Sequence, residues 1–315
     1  MRAVWSLITA LAMSLALAAP AAIAAKVING FRLEDTLVPA RHIRSGGPPR
    51  DGIPALFAPR FVPAEDADFI SADDRVLGVT LDGVAKAYPI KILNYHEIVN
   101  DRFEDRAVAV TFCPLCGTGI VFDAIVDGQD RTFGVSGLLY NSDVLMYDRE
   151  SESLWSQILA QAISGPAKGL KLRTLPARHT TWSEWVSRSP QTLVLVPPQA
   201  YGRDYSVDPY LGYAESDRVW FPVAHRDKRY PAKEVVVGLT VNSTAKAYPF
   251  AELPPGAGAI EDQIAGTAIT LEFDQHSRSA RILTKDGREI PTFTAYWFAW
   301  IAFHPDTLVY TAQNN

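Results

Sequence analysis

Cysteine is nearly absent from this chain, with two residues in 315, Cys113 and Cys116. That excludes a scaffold built on disulfides, and a hydrophobic share of 48% supplies enough apolar material for a buried core, which excludes disorder. Charge is slightly acidic, with Lys+Arg 30 against Asp+Glu 35 for a net charge of -5, and no run of like charges would grip a phosphate backbone. Nucleic acid is therefore not an expected partner. Also missing are a dinucleotide Gly-x-Gly-x-x-Gly, a Walker loop, a His-Glu-x-x-His and a haem Cys-x-x-Cys-His, so nucleotide enzymology and c-type haem have no footing. Long amphipathic helical patterns are lacking too, which disfavours a parallel βαβ architecture.

The first 25 residues differ from the rest. Arg2 precedes an apolar run over 4–19, and small residues ending Ala22-Ile23-Ala24 follow. This pattern predicts a secretory signal peptide over 1–25, too short and wrongly flanked for a membrane span. No later stretch is apolar enough to cross a bilayer, so the mature chain is expected to lack a transmembrane segment and to be periplasmic or extracellular. In such an oxidising compartment an idle thiol pair is a liability, and the two cysteines call for a role.

The sequence also resembles itself. Val76-Leu-Gly-Val-Thr-Leu-Asp-Gly-Val-Ala-Lys-Ala-Tyr-Pro89 recurs 160 positions later as Val236-Val-Gly-Leu-Thr-Val-Asn-Ser-Thr-Ala-Lys-Ala-Tyr-Pro249, and Thr132-Phe133 matches Thr292-Phe293 at the same offset. Trp182-x-x-Trp185 and the following Pro190-x-Thr192-Leu-Val194 match Trp297-x-x-Trp300 and Pro305-x-Thr307-Leu-Val309 at an offset of 115. The fall in offset from 160 to 115 assigns the first copy an insertion of 45 residues, roughly over 134–180. Alternating apolar residues, turn pairs such as Asp82-Gly83 and only short helical patterns predict a mainly β or α+β fold. Two duplicated antiparallel β-rich units are expected: an extended arm over 26–72, unit one over 73–196, an aromatic-rich linker over 197–233, and unit two over 234–315. Tyrosines crowd the linker between Tyr201 and Tyr213, which predicts that it wraps across the units.

A duplication separates scaffold from chemistry, because what the fold needs survives in both copies. The second copy has Asp274-Gln-His-Ser277 where the first has Cys113-Pro-Leu-Cys116, and it lacks His96-Glu97 and the insertion. Candidate chemistry thus lies in copy one. The Cys-Pro-x-Cys-Gly stretch falls between two strands, as in the metal knuckles of rubredoxins and zinc ribbons, whereas thioredoxin-type pairs cap a helix. With Asn100 opposite Ala107 in the adjoining hairpin, His96 falls opposite Thr111 and beside Cys113. Cys113, Cys116 and His96 are then a partial shell for Zn or Cu, Glu97 is accessory, and the insertion offers Asp143, Met146, Asp148 or His179 as a further ligand.

Two other roles remain open for the cysteines, a reversible thiol–disulfide couple or a structural disulfide. Ser136, in Gly134-x-Ser-Gly137, approximates a nucleophile elbow and is a third catalytic candidate beside Cys113 and Cys116. Asp148, Trp155 and Gln157 read equally as accessory groups or as turn caps and core. A non-catalytic alternative is a module that holds a glycan or peptide between the copies.

The ordered series Ile53-Pro-Ala, Ala87-Tyr-Pro, Asn94-Tyr-His-Glu-Ile-Val-Asn-Asp101, Phe112-Cys-Pro-Leu-Cys-Gly-Thr-Gly119, Phe133-Gly-Val-Ser-Gly137, Tyr147-Asp-Arg149 and Ser153-Leu-Trp-Ser-Gln157 resembles the exported bacterial and archaeal family called Domain of Unknown Function 3179. The resemblance carries no activity. It implies that His96, Cys113, Cys116, Ser136 and the 153–157 segment form one signature.

Overall fold

Alternation of apolar and polar residues dominates the chain, and strands dominate the computed structural model, which describes residues 26–312. The leader expected over 1–25 lies outside the described residues. Among the described residues, no helix is long and apolar enough to cross a membrane. The three α-helices, Ile90–His96, Trp182–Arg188 and Trp297–Phe303, have seven residues each. The protein is mainly β.

Where two β-rich units were expected, the strands sort into five sheets of four or five strands and two small ribbons, the grouping of a five-bladed propeller. Strands Arg75–Leu81 and Val84–Pro89 form a hairpin flanked by Arg178–Thr181 and by the parallel strand Leu193–Leu195. Strands Val235–Val241 and Thr244–Pro249 repeat this arrangement with Phe293–Tyr296 and Leu308–Val309. The registers agree residue for residue, with Gly78 opposite Ala87 and Gly238 opposite Ala247. A second sheet in each half is a meander: Ile98–Phe103, Arg106–Cys113, Thr118–Asp123 and Arg173–Leu175 in the first, Ala257–Ile264, Thr267–Asp274, Ser279–Thr284 and Glu289–Ile290 in the second.

These pairings move the insertion. Arg178 lies opposite Gly78 and Phe293 opposite Gly238, so Phe293 corresponds to Arg178 and not to Phe133. The residues without a counterpart fall between Asp123 and Arg173, not over 134–180. Their main strands, Phe133–Tyr140, Asp143–Asp148, Leu154–Ser156 and Gln161–Ala162, make the fifth sheet. The N-terminal segment is less an arm than a donor of edge strands. Ile43–Ser45, Leu56–Phe57 and Phe61–Pro63 each complete a different sheet.

The repeated motifs have a packing cause. The Trp185 and Trp300 indoles lie flat against the α-carbons of Gly78 and Gly238, where a β-carbon would sit well inside van der Waals contact of the ring. Each indole Nε1 donates to a threonine hydroxyl, Trp185 to Thr192 at 2.9 Å and Trp300 to Thr307 at 3.0 Å. The Ala-Lys-Ala-Tyr-Pro repeat places Lys and Tyr on one strand face to meet a buried aspartate. Lys86 and Tyr88 both donate to Asp101, at 2.8 and 2.6 Å, and Lys246 and Tyr248 share Asp262 in the same way.

The largest hydrophobic cluster spans the molecule. Ile98 and Phe122 of the first meander, Met146 and Trp155 of the insertion, Tyr213 of the connecting segment and Phe298 of the last helix meet in it, and so do both cysteines. The predicted wrap of the connecting segment is seen in these contacts. Because Trp300 fills the space above Gly238, Gly238→Ala is expected to lower stability by about 1–3 kcal/mol through overpacking; urea denaturation measures it.

Candidate functional site

The knuckle is a tight turn between paired strands. Cys113 lies opposite Thr118, the Cys116 amide donates to the Cys113 carbonyl at 3.1 Å, and Gly117 takes a left-handed φ of 60°. Both sulfurs are inaccessible, and both thiols lie within hydrogen-bond reach of the Ser142 carbonyl, at 3.7 Å from Cys113 and 3.4 Å from Cys116. No disulfide joins them. In the second half the corresponding turn is held by Asp274, whose carboxylate accepts from the His276 and Ser277 amides at 2.8 and 3.2 Å.

Asn141 and Ser142 both adopt positive φ, 54° and 65°, and turn the Phe133–Tyr140 strand back into Asp143–Asp148 as a two-residue hairpin. That hairpin tip is clamped on three sides: Asn141 donates to the Ala302 carbonyl, its side-chain oxygen accepts from the Ala224 amide, and the Ser142 hydroxyl donates to the Phe221 carbonyl. The clamp presses Asp143 onto the knuckle. A carboxylate oxygen of Asp143 and the two sulfurs all lie within 4.8 Å of one another. Asp143 Oδ2 accepts from the Ile158 amide at 3.1 Å, while the fully buried Oδ1 has no partner.

His96 does not join this group. Strand pairing runs through Phe103 to a two-residue turn, so Asn100 lies opposite Ala109 and Ile98 opposite Thr111, two residues away from the expected register. The buried Phe103 ring, 1% exposed, holds that longer pairing in place. His96 instead ends the Ile90–His96 helix, and both ring nitrogens are engaged, Nδ1 with the Pro54 carbonyl and Nε2 with the Tyr205 hydroxyl, each at 2.7 Å. Glu97 takes the neighbouring position. It breaks the helix with a φ of 56°, and its carbonyl accepts from the Phe112 amide at 2.7 Å, one residue before Cys113.

Burial sets the electrostatics. Desolvation pushes the Glu97 carboxyl up to about 8 and that of Asp143 up to about 7, and the charge of Asp143 pushes Glu97 further in the same direction. Burial likewise raises both thiols, that of Cys116 well above its ordinary value. Among the described residues, neither Glu97 nor Asp143 has an ion-pair partner. The two thiols and the Asp143 carboxyl, within 4.8 Å of one another and without a paired cation, could hold a metal ion. Donors of two thiolates and one or two carboxylates suit zinc, whereas the loss of the imidazole and the presence of hard oxygens count against Cu(I).

The remaining candidates have structural partners. Ser136 is fully buried at a bulge, where its hydroxyl donates to the Leu145 carbonyl and accepts from the Leu138 amide at 3.0 Å, with no base beside it. It is a backbone cap and not a nucleophile. Asp148 accepts from the Trp155 indole and the Ser151 amide, both at 2.7 Å, and so fixes a turn. Gln157 donates to Thr111 at 2.8 Å and to the Thr118 carbonyl at 3.3 Å, which braces the strands carrying the knuckle. Met146 is core. His179 lies opposite Leu77, outside the sulfur group, on the wall of a cavity between the halves. Sequence reasoning gave no place to Arg75, Lys233 and Arg278 on that same wall; their spacing carries no motif, and only the fold brings them together.

A family profile described as a protein of unknown function matches residues 50–289. The chain belongs to the DUF3179 family. That match takes in the knuckle, the insertion hairpin and the linker. Searches of curated proteins and of solved structures return no match.

The raised carboxyls of this family member have a consequence for pH. In the metal-free protein Glu97 and Asp143 hold protons that the unfolded chain releases near 4.5 and 3.8. Their contribution to stability is fully present below those values and is lost as pH rises through about 7 and about 8. Chelator-treated protein is expected to show a lower urea midpoint at alkaline than at mildly acidic pH, and Asp143→Asn to flatten that fall.

Proposed function

We propose that the protein is an exported zinc-binding protein in which Cys113, Cys116, Asp143 and Glu97 hold one ion. The observation that carries this reading is the convergence of two sulfurs and the Asp143 carboxylate within 4.8 Å in a fully buried place, with Oδ1 of Asp143 lacking any partner. A metal ion would neutralise the acids and draw protons from the thiols, turning four unfavourably buried groups into ligands. All three core donors are inaccessible, which supports a closed structural site over an open catalytic one. Its role is to staple the tip of the insertion hairpin to the knuckle, beneath the linker and the last helix.

A thiol–disulfide role has less support. An attacking cysteine needs a depressed pKa and access, and burial gives these two the opposite. Export rests on the apolar run over 4–19 and its small-residue end. Duplication of a two-sheet unit is also part of the reading, with the fifth sheet inserted in the first copy; matching registers, the twin indole–glycine contacts and the twin Lys–Tyr–Asp clusters support it.

Elemental analysis of protein purified without chelator is expected to find about one equivalent of zinc. Cys113→Ser and Asp143→Asn should each lose it, and His96→Gln should keep it. Metal-free protein of undiminished thermal stability, or loss of metal only in the His96 variant, would overturn the proposal.

A further inference from the structure

The cavity between the two halves has a volume of about 260 Å³, and its wall includes Pro114 and Gly117 of the knuckle, the linker, and strands from both halves. Three cationic side chains reach it, Arg75, Lys233 and Arg278. None has a carboxylate within ion-pair distance among the described residues. Arg75 donates to the Ser277 and Arg278 carbonyls, and the Lys233 ammonium to the carbonyls of Tyr213, Ser216 and Arg218 at 2.9 to 3.1 Å. Peptide carbonyls and the Tyr213 ring, 3.3 Å from the Lys233 ammonium, answer part of this charge, and Asp217 and Glu215 act on Lys233 from beyond ion-pair distance. One carboxylate, Asp208, shares the wall, and it is engaged by Asn94 at 3.0 Å and by the Tyr210 amide at 2.9 Å.

His179 and Tyr213 also line the cavity, but the ring nitrogens of His179 and the hydroxyl of Tyr213 are inaccessible and give it no contact. Aromatic faces of Phe112 and Tyr296 complete the lining.

We propose that this cavity binds a small organic anion, a carboxylate or phosphate carried on a polar ring of monosaccharide size. Three basic side chains against one carboxylate select the oxyanion, and the Phe112 and Tyr296 side chains meet the ring of the ligand. The volume lies just below the usual range of ligand cavities, about 300–1,000 Å³, and so suits a small molecule. The inference does not depend on the metal site.

Isothermal titration of the protein with glucuronate, glucose 6-phosphate and glucose tests it. At least one of the two anions is expected to bind saturably in the millimolar range or tighter, with neutral glucose at least about tenfold weaker. Which anion binds identifies the oxyanion. Raising the salt from about 20 to about 200 mM should weaken the anion severalfold, since screening at the mouth reaches the exposed Arg278 side chain. Arg278→Gln, a change at an exposed side chain, should weaken it about tenfold. Glucose binding as tightly as the anions, no heat from either anion at about 10 mM, or an affinity indifferent to both salt and Arg278→Gln would overturn the proposal.

Discussion

Two thiols and a carboxyl group with no paired cation share one dry place in this protein, with the buried Glu97 acting on it electrostatically, and much of the architecture serves to keep them there. Cys113 and Cys116 come from a strand turn, Asp143 from the tip of the insertion, and Glu97 from a helix end. Each would be better solvated elsewhere. Their convergence is enforced by backbone geometry: positive φ at Asn141, Ser142 and Glu97, and the clamp that the Ala224 amide and the Ala302 and Phe221 carbonyls place on the hairpin tip. A divalent cation converts that electrostatic cost into binding free energy.

The same junction organises the whole molecule. The cysteines belong to the cluster that joins the first meander, the insertion, the connecting segment and the last helix. An ion held there would tie these elements together, and the cavity beside it takes Pro114 and Gly117 of the same turn into its wall.

Much of this was legible in the residues. Strand alternation marked the β class, and the recurrence of Ala-Lys-Ala-Tyr-Pro marked the paired hairpins. The contrast of Cys113-Pro-Leu-Cys116 with Asp274-Gln-His-Ser277 pointed to the knuckle, and Asp143 stood among the possible further ligands. The place expected for His96 was off because hairpin register follows turn length. The stretch over 101–106 read as a polar turn, yet Phe103 is buried core and the pairing runs two residues further, so Ile98 and not His96 lies opposite Thr111. The insertion was displaced for a related reason. Thr132-Phe133 matches Thr292-Phe293 by letter, whereas Phe293 pairs with Gly238 as Arg178 pairs with Gly78. The basic cavity could not be foreseen at all, because Arg75, Lys233 and Arg278 are far apart in sequence and meet only when the two halves close on the linker.

X-ray absorption at the zinc edge on the purified protein addresses the central claim most directly. Two sulfurs at about 2.3 Å with oxygen donors at about 2.0–2.2 Å, and none of the outer-shell scattering that an imidazole ring gives, is the predicted result. An imidazole signature in the ligand shell, or an edge too weak to reflect a bound ion, would contradict it.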